Sequence, residues 1–190
     1  MKKEDMRRAY NEIGGRLYDL RYRDEQASKF DAILSRIPLL QGDLILDIGC
    51  GTGLLLERIS GAVGFAVGLD LSEELLSWAR LKLRGTLTAL VLSDAHYLPF
   101  KTATFDKVFI ITLLQNLPDP IEALSESMAV VKPAATIIVS GLKKKYSREG
   151  FLSLLRSVGL RVEEVVDEGL KDFMAICGKE AESFKGGKSL

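Results

Sequence analysis

The chain has 190 residues, 47% of them hydrophobic, enough for one folded unit to bury a core without disulfides or a structural metal. Its 26 Lys and Arg balance its 26 Asp and Glu, which excludes the global basic field that drives nucleic-acid or membrane association. Cys50 and Cys177 match neither a disulfide framework nor a zinc spacing, and no apolar run approaches the roughly 20 residues that span a bilayer; the opening Met-Lys-Lys-Glu-Asp leads into no apolar segment, so a metal-free cytoplasmic protein is expected.

Residues 1–43 read as a polar helical segment carrying Tyr10, Tyr18, Tyr22 and Phe30, expected to lie over one edge of the sheet that follows. From Leu44 onward short apolar runs alternate with amphipathic stretches, the pattern of helices packed on both faces of a mostly parallel sheet. Leu44 to Ile48 is the first strand, and Leu54 to Ile59 begins a helix entered through glycines. Gly64 to Leu69 is the second strand, ending at Asp70, after which Ser72 with Glu73 and Glu74 reads as a helix N-cap and acidic first turn. Leu75, Leu76 and Ala79 share one face of that helix.

Leu87 to Leu92, Phe105 to Thr112 and Thr136 to Gly141 follow as strands, all so uniformly apolar that they are expected to be central, with no solvated face. Between the last two, Pro120 to Val131 reads as a helix capped by Asp119 and stopped by Lys132-Pro133. A helix from about Arg148 to Val158 is closed by Gly159. Arg161 to Val166 and Asp172 to Cys177 are then too close for a crossover helix, so they must form an antiparallel hairpin and the sheet ends mixed. Residues 44–179 make the single domain proper, and 180–190, polar with a Gly-Gly pair, are expected to fray.

The strongest signal is Leu46-Asp47-Ile48-Gly49-Cys50-Gly51-Thr52-Gly53, where a strand turns into a helix. A dinucleotide site needs G-x-G-x-x-G, and here the third glycine arrives one residue early. No Gly-Lys-Ser/Thr follows, so the turn is not a phosphate loop. Asp47 would oppose a pyrophosphate and suits an ammonium, which points to an adenosine without phosphates. Asp70 closes the next strand about 20 residues on, the offset at which a carboxylate reaches ribose hydroxyls. Ser93-Asp94-Ala95 ends the third strand, where a carboxylate can accept from the amine of adenine.

Together these residues resemble the class I S-adenosylmethionine-dependent methyltransferases, over roughly Leu44 to Cys177. The resemblance implies a doubly wound, mostly parallel, seven-stranded Rossmann-like α/β sheet with a C-terminal antiparallel hairpin. It implies S-adenosyl-L-methionine as cofactor and S-adenosyl-L-homocysteine as product, with Asp47, Gly49, Cys50, Gly51 and Gly53 around the methionine part. Asp70 would then hold the ribose, Asp94 the adenine, and Leu71 and Ala95 would pack on the base. Residues 1–43 would cover the cofactor and substrate side, with Tyr18 and Tyr22 as acceptor-side candidates. Gln115 and Asn116 are acceptor-side candidates too, and Asn116 departs from the His that many small-molecule members carry nearby, so no catalytic base is assigned.

Cys50 is expected to fill structure within the turn, Cys177 to lie in the core, and His96, the one histidine, to sit in a turn beside the adenine. Lys143-Lys144-Lys145 reads as a solvated loop more than as a phosphate contact. The expected reaction is methyl transfer to a small molecule, by a monomer or homodimer. A tRNA or protein acceptor, with a partner subunit supplying recognition, is the alternative, and a non-catalytic cofactor-binding scaffold the second. The Asn/Asp-Pro-Pro-Tyr/Phe pattern used on adenine or glutamine amino groups is absent, which lowers those substrates.

Overall fold

A computed structural model describes residues 3–180; most of the expected frayed tail, 181–190, lies outside the described residues. Helices α1 (Lys3–Ile13) and α2 (Gly15–Leu34) precede the strands β1 (Leu44–Ile48), β2 (Phe65–Asp70), β3 (Thr88–Leu92), β4 (Phe105–Ile110), β5 (Val131–Leu142), β6 (Leu160–Val166) and β7 (Asp172–Lys179). Helices α3 (Leu54–Ile59), α4 (Glu73–Lys82), α5 (Pro120–Val130) and α6 (Arg148–Ser157) connect them, and a 3-10 turn, Leu114–Asn116, follows β4.

The seven strands form one sheet in the order β3-β2-β1-β4-β5-β7-β6. The first five run parallel, and β7 inserts antiparallel between β5 and β6. Order reverses between β1 and β4, the point at which open α/β sheets leave a crevice at the carboxyl ends of their strands. Because successive strand residues face opposite ways, Leu46, Ile48, Val108, Ile110, Ile137 and Val139 join one apolar layer with α5 and α6. Their neighbours Ile45, Phe109 and Ile138 join the other, with α2, α3 and α4.

Local chemistry sets the helix starts. Ser72 accepts from the Leu75 amide, Asp119 from the amides of Ile121 and Glu122, and Ser147 from that of Gly150, so three helices begin on side-chain caps. Each such cap contributes about 1 kcal/mol.

Three expectations are corrected. The third strand is not central: β3 is an edge, with Leu87 66% and Leu92 56% exposed. An apolar run reports what covers a strand's faces and carries no information about a missing neighbour along its edge. Helix α2 does not lie over an edge either. Phe30, Ile33 and Ile37, at helical spacing within a polar segment, pack with Ile45, Ile138, Met174 and Ile176 in the middle of the sheet. Strand β5 begins at Val131, five residues before Thr136, because Val131 pairs with Phe105 and Lys132 reaches the Asp106 carboxylate at 2.7 Å.

Candidate functional site

The turn after β1 is built on three left-handed glycines, Gly49, Gly51 and Gly53, with φ of 77°, 54° and 75°. Residues with a Cβ avoid that region, which is why the sequence spends glycine here. The turn is tied to β2 because the amides of Gly49 and Cys50 both donate to the Leu69 carbonyl, at 2.7 and 3.0 Å. The three glycines then serve different neighbours. A Cβ on Gly51 would stand 3.7 Å from the Tyr18 ring, on the open side, whereas one on Gly53 would press on Ala79 and Leu83 of α4.

Asp70 fixes the same turn from the other side. One oxygen accepts from the Gly51 amide and the other from the Ser72 amide, both at 2.8 Å. Each oxygen keeps a second lone pair for a ligand hydroxyl. Burial raises the Asp70 pKa, and the amides of Ser72, Gly51 and Leu71 oppose it by favouring the charged form. Asp47 is 4% exposed. Burial, and then the nearby Asp70 carboxylate, push its pKa up to about 8.

At the carboxyl ends of β1, β2, β3 and β4 these groups frame a cleft with about 740 Å³ of empty space, part of it open to solvent. Gly49, Gly51, Asp70, Leu71, Asp94 and Ala95 line it, as do Tyr10, Tyr18 and Asn116. A smaller adjoining cavity is lined by Asp47, Cys50, Thr52, Gln26 and, shared with the cleft, Tyr18 and Gly49. Gly53, Tyr22 and Gln115 line neither space. Gly53 is taken by α4, and Tyr22 packs its ring on Tyr18 at 4.9 Å. The buried Gln115 Oε1 meets no hydrogen-bond partner among the described residues.

At one end His96 is 1% exposed, its Nδ1 lying 2.6 Å from Asp94 Oδ1 and its Nε2 2.9 Å from the Asp119 carbonyl. The ring thus locks the Asp94 loop to the start of α5. At the other end the Asn116 amide nitrogen donates to the Tyr10 hydroxyl at 2.9 Å and to the Thr112 carbonyl at 3.1 Å. Burial is the first cause that raises the pKa of both Tyr10 and Tyr18, so neither phenol ionises near neutrality. Lys143, Lys144 and Lys145 do not line the cleft; Lys143 turns its ammonium to the Asp167 carbonyl and over the Phe173 ring.

Behind Thr112 lies a polar group that the sequence reading missed. Lys29, 1% exposed, pairs with the buried Asp172 at 2.6 Å and with Glu25 at 3.1 Å, and donates to Thr112 Oγ1 at 2.9 Å. Gln26 donates to the same hydroxyl at 3.0 Å. Thr112 has φ 59°, rare for a β-branched residue, and its amide donates to Ser140 Oγ at 2.7 Å. Nothing in a helical Gln-Ala-Ser-Lys run marks Lys29 as a core residue; only the arrival of β7 beneath α2 makes it one.

The site suits an adenosine that carries an ammonium. Asp47 is a buried carboxyl whose charged neighbour is Asp70, Asp70 has lone-pair capacity to spare, and Leu71 and Ala95 line the cleft with Asp94. Among the described residues no group of three or more His, Cys, Asp or Glu is placed to hold a metal ion, and no helix is long and apolar enough to cross a membrane.

Comparison with known proteins agrees with this geometry. A methyltransferase-domain family model matches residues 46–139. The chain is 38% identical over 112 residues to a demethylmenaquinone methyltransferase of Lactiplantibacillus plantarum, covering 55% of this chain and 47% of that one. It is 29% identical over 148 residues to a ubiquinone biosynthesis O-methyltransferase of Vibrio vulnificus, covering 76% and 61%. The chain therefore spans less than two thirds of either relative. In fold it is similar to an S-adenosylmethionine-dependent methyltransferase of Aquifex aeolicus, with a TM-score of 0.72 and 23% identity over 82% of this chain and 94% of that one. The matched methyltransferase domain runs from β1 into β5 of a sheet ordered in this way, and over those residues the chain is similar to the S-adenosylmethionine-dependent methyltransferases.

Proposed function

We propose that the cleft binds S-adenosylmethionine and that the chain transfers its methyl group to an uncharged small molecule. The observation that carries this reading is the convergence of Asp70, Asp94 and the glycine turn on one cleft at successive strand ends. Asp70 would accept from the ribose, Asp94 with Leu71 and Ala95 would hold the adenine, and Asp47 with the turn would face the ammonium. When bound, the cofactor supplies a methyl on a sulfonium, so the protein's task is alignment and exclusion of water. Tyr10 of α1 and Tyr18 of α2, which line the cleft, would serve this task.

Tyr10, Tyr18, Leu113, Asn116, Leu117 and Pro118 line the same cleft, and none of them carries a formal charge. That wall favours a flat, apolar acceptor. With neither carboxylate nor imidazole among these six residues, they suit an acceptor hydroxyl acidic enough to lose its proton to water, such as a phenol. The name of the ubiquinone biosynthesis O-methyltransferase relative is consistent with this chemistry. A cytoplasmic monomer or homodimer goes with the same reading, since both cysteines are buried and free, as a reducing compartment allows.

The test is incubation with methyl-labelled cofactor and a host extract fractionated into small molecules, RNA and protein. Label in the small-molecule fraction is expected. Label confined to RNA or protein would overturn the acceptor class, and tight cofactor binding with no labelled fraction would make the protein a binding scaffold.

A further inference from the structure

Asp47 faces few groups, and they do not balance its charge. From β2 it meets a second carboxylate, Asp70; from α2 the neutral Tyr18 and Gln26; and from the turn the Cys50 thiol. Ile111, just after β4, adds apolar surface to the shared cavity and no charge. Lys82 of α4 acts on Cys50, but its ammonium is engaged by Asp19 at 2.8 Å. Asp70 differs from Asp47 in having the amides of Gly51 and Ser72 to hold its charge, whereas what acts on Asp47 is burial and then Asp70, with no hydrogen-bond donor beside them.

We infer that Asp47 stays protonated in the ligand-free protein and ionises only as a ligand ammonium docks, so that cofactor capture releases one proton and selects ligands with an amino-acid tail. The inference rests on the cofactor reading above. The exchange is balanced without any covalent step. The carboxylic acid gives its proton to solvent, and the carboxylate that remains pairs with the incoming ammonium, whose own charge is unchanged. A buried carboxylate beside another carboxylate has no counter-charge until the ligand brings one. Burial and Asp70, in that order, place its pKa at about 8, so the acid form dominates at neutral pH.

The experiment is titration calorimetry on the full chain at pH 7, in phosphate and in Tris, whose ionisation enthalpies differ enough to count protons. Two probes are compared: S-adenosylhomocysteine, which carries the ammonium, and 5′-methylthioadenosine, which keeps the nucleoside and lacks it. The expected result is release of roughly 0.9 proton per S-adenosylhomocysteine and close to none for methylthioadenosine. Affinity for S-adenosylhomocysteine should also fall by about tenfold from pH 7 to pH 6, with methylthioadenosine little affected. Asp47→Asn should bind S-adenosylhomocysteine with no proton release and a flat profile over that range. The wild-type pair of probes stands by itself if this variant fails to fold. Equal proton numbers for the two ligands would overturn the coupling and leave the cleft's assignment intact. Failure of both to bind would overturn the assignment itself, and the inference with it.

Discussion

Asp70 carries two duties that the linear sequence shows as one. Its position at the end of β2 suggests ribose binding, and the structure adds that its oxygens already hold the Gly51 and Ser72 amides. Asp70→Ala should therefore weaken S-adenosylhomocysteine binding by roughly 10- to 100-fold, about 1.5 to 3 kcal/mol. It should also cost stability, because two amides lose their acceptor. Calorimetry paired with urea denaturation separates the two effects, and an unchanged affinity would defeat the ribose assignment. Gly51→Val puts a branched side chain on a backbone at φ 54°, with its Cβ 3.7 Å from Tyr18. It should abolish binding of the same ligand, and a wild-type titration curve from the variant would refute a close approach of cofactor to this turn.

Helix α2 shows how an element can be misplaced by its composition. Its polar surface suggests a peripheral position, yet Phe30 and Ile33 are core residues and Lys29 sits beneath the helix on Asp172 of β7. Breaking a buried ion pair leaves one charge without a partner, which costs about 3 to 5 kcal/mol, whereas replacing both partners by apolar groups can be neutral. Lys29→Met should thus lower the urea midpoint sharply, and adding Asp172→Leu should recover most of the loss. A double variant no more stable than the single one would show that Lys29 contributes through Thr112 and Gln26 and not through Asp172. Strand β3 teaches the converse point. Its apolar run identified a strand correctly and its place in the sheet wrongly, since strand order arises from crossovers that leave no trace within the strand itself.

Across the whole molecule, the raised pKa of Asp47 links stability to pH. A carboxyl with an ordinary value of 3.8 and a folded value of about 8 binds its proton more tightly in the folded state. Its stabilising contribution is full below pH 3.8 and is lost as pH rises towards 8. The Tm of the ligand-free protein, measured against that of Asp47→Asn, should accordingly fall from pH 5 to pH 8. A difference that does not vary with pH would show that Asp47 titrates normally. Saturating S-adenosylhomocysteine should flatten the trend, because the ammonium supplies the missing counter-charge.

The class of fold, the strand-turn-helix around Gly49 to Gly53, the caps at Ser72 and Asp119 and the C-terminal hairpin were all legible in the sequence. Each depends on residues close together in the chain: glycines where φ must be positive, side-chain oxygens at helix starts, and a connection too short for a crossover. The roles of Asp70 and Asp94 were suggested by the same spacing logic, and the structure places both on one cleft. Only the tertiary structure decided that β3 is an edge, that α2 crosses the middle of the sheet, and that Gly53 belongs to α4. It alone showed the chain of contacts from Asp172 through Lys29 and Thr112 to Asn116 and Tyr10. Three of the four links in that chain of contacts join residues more than 80 positions apart, and a hydrogen bond or an ion pair between such residues exists only once packing has brought them within a few ångströms.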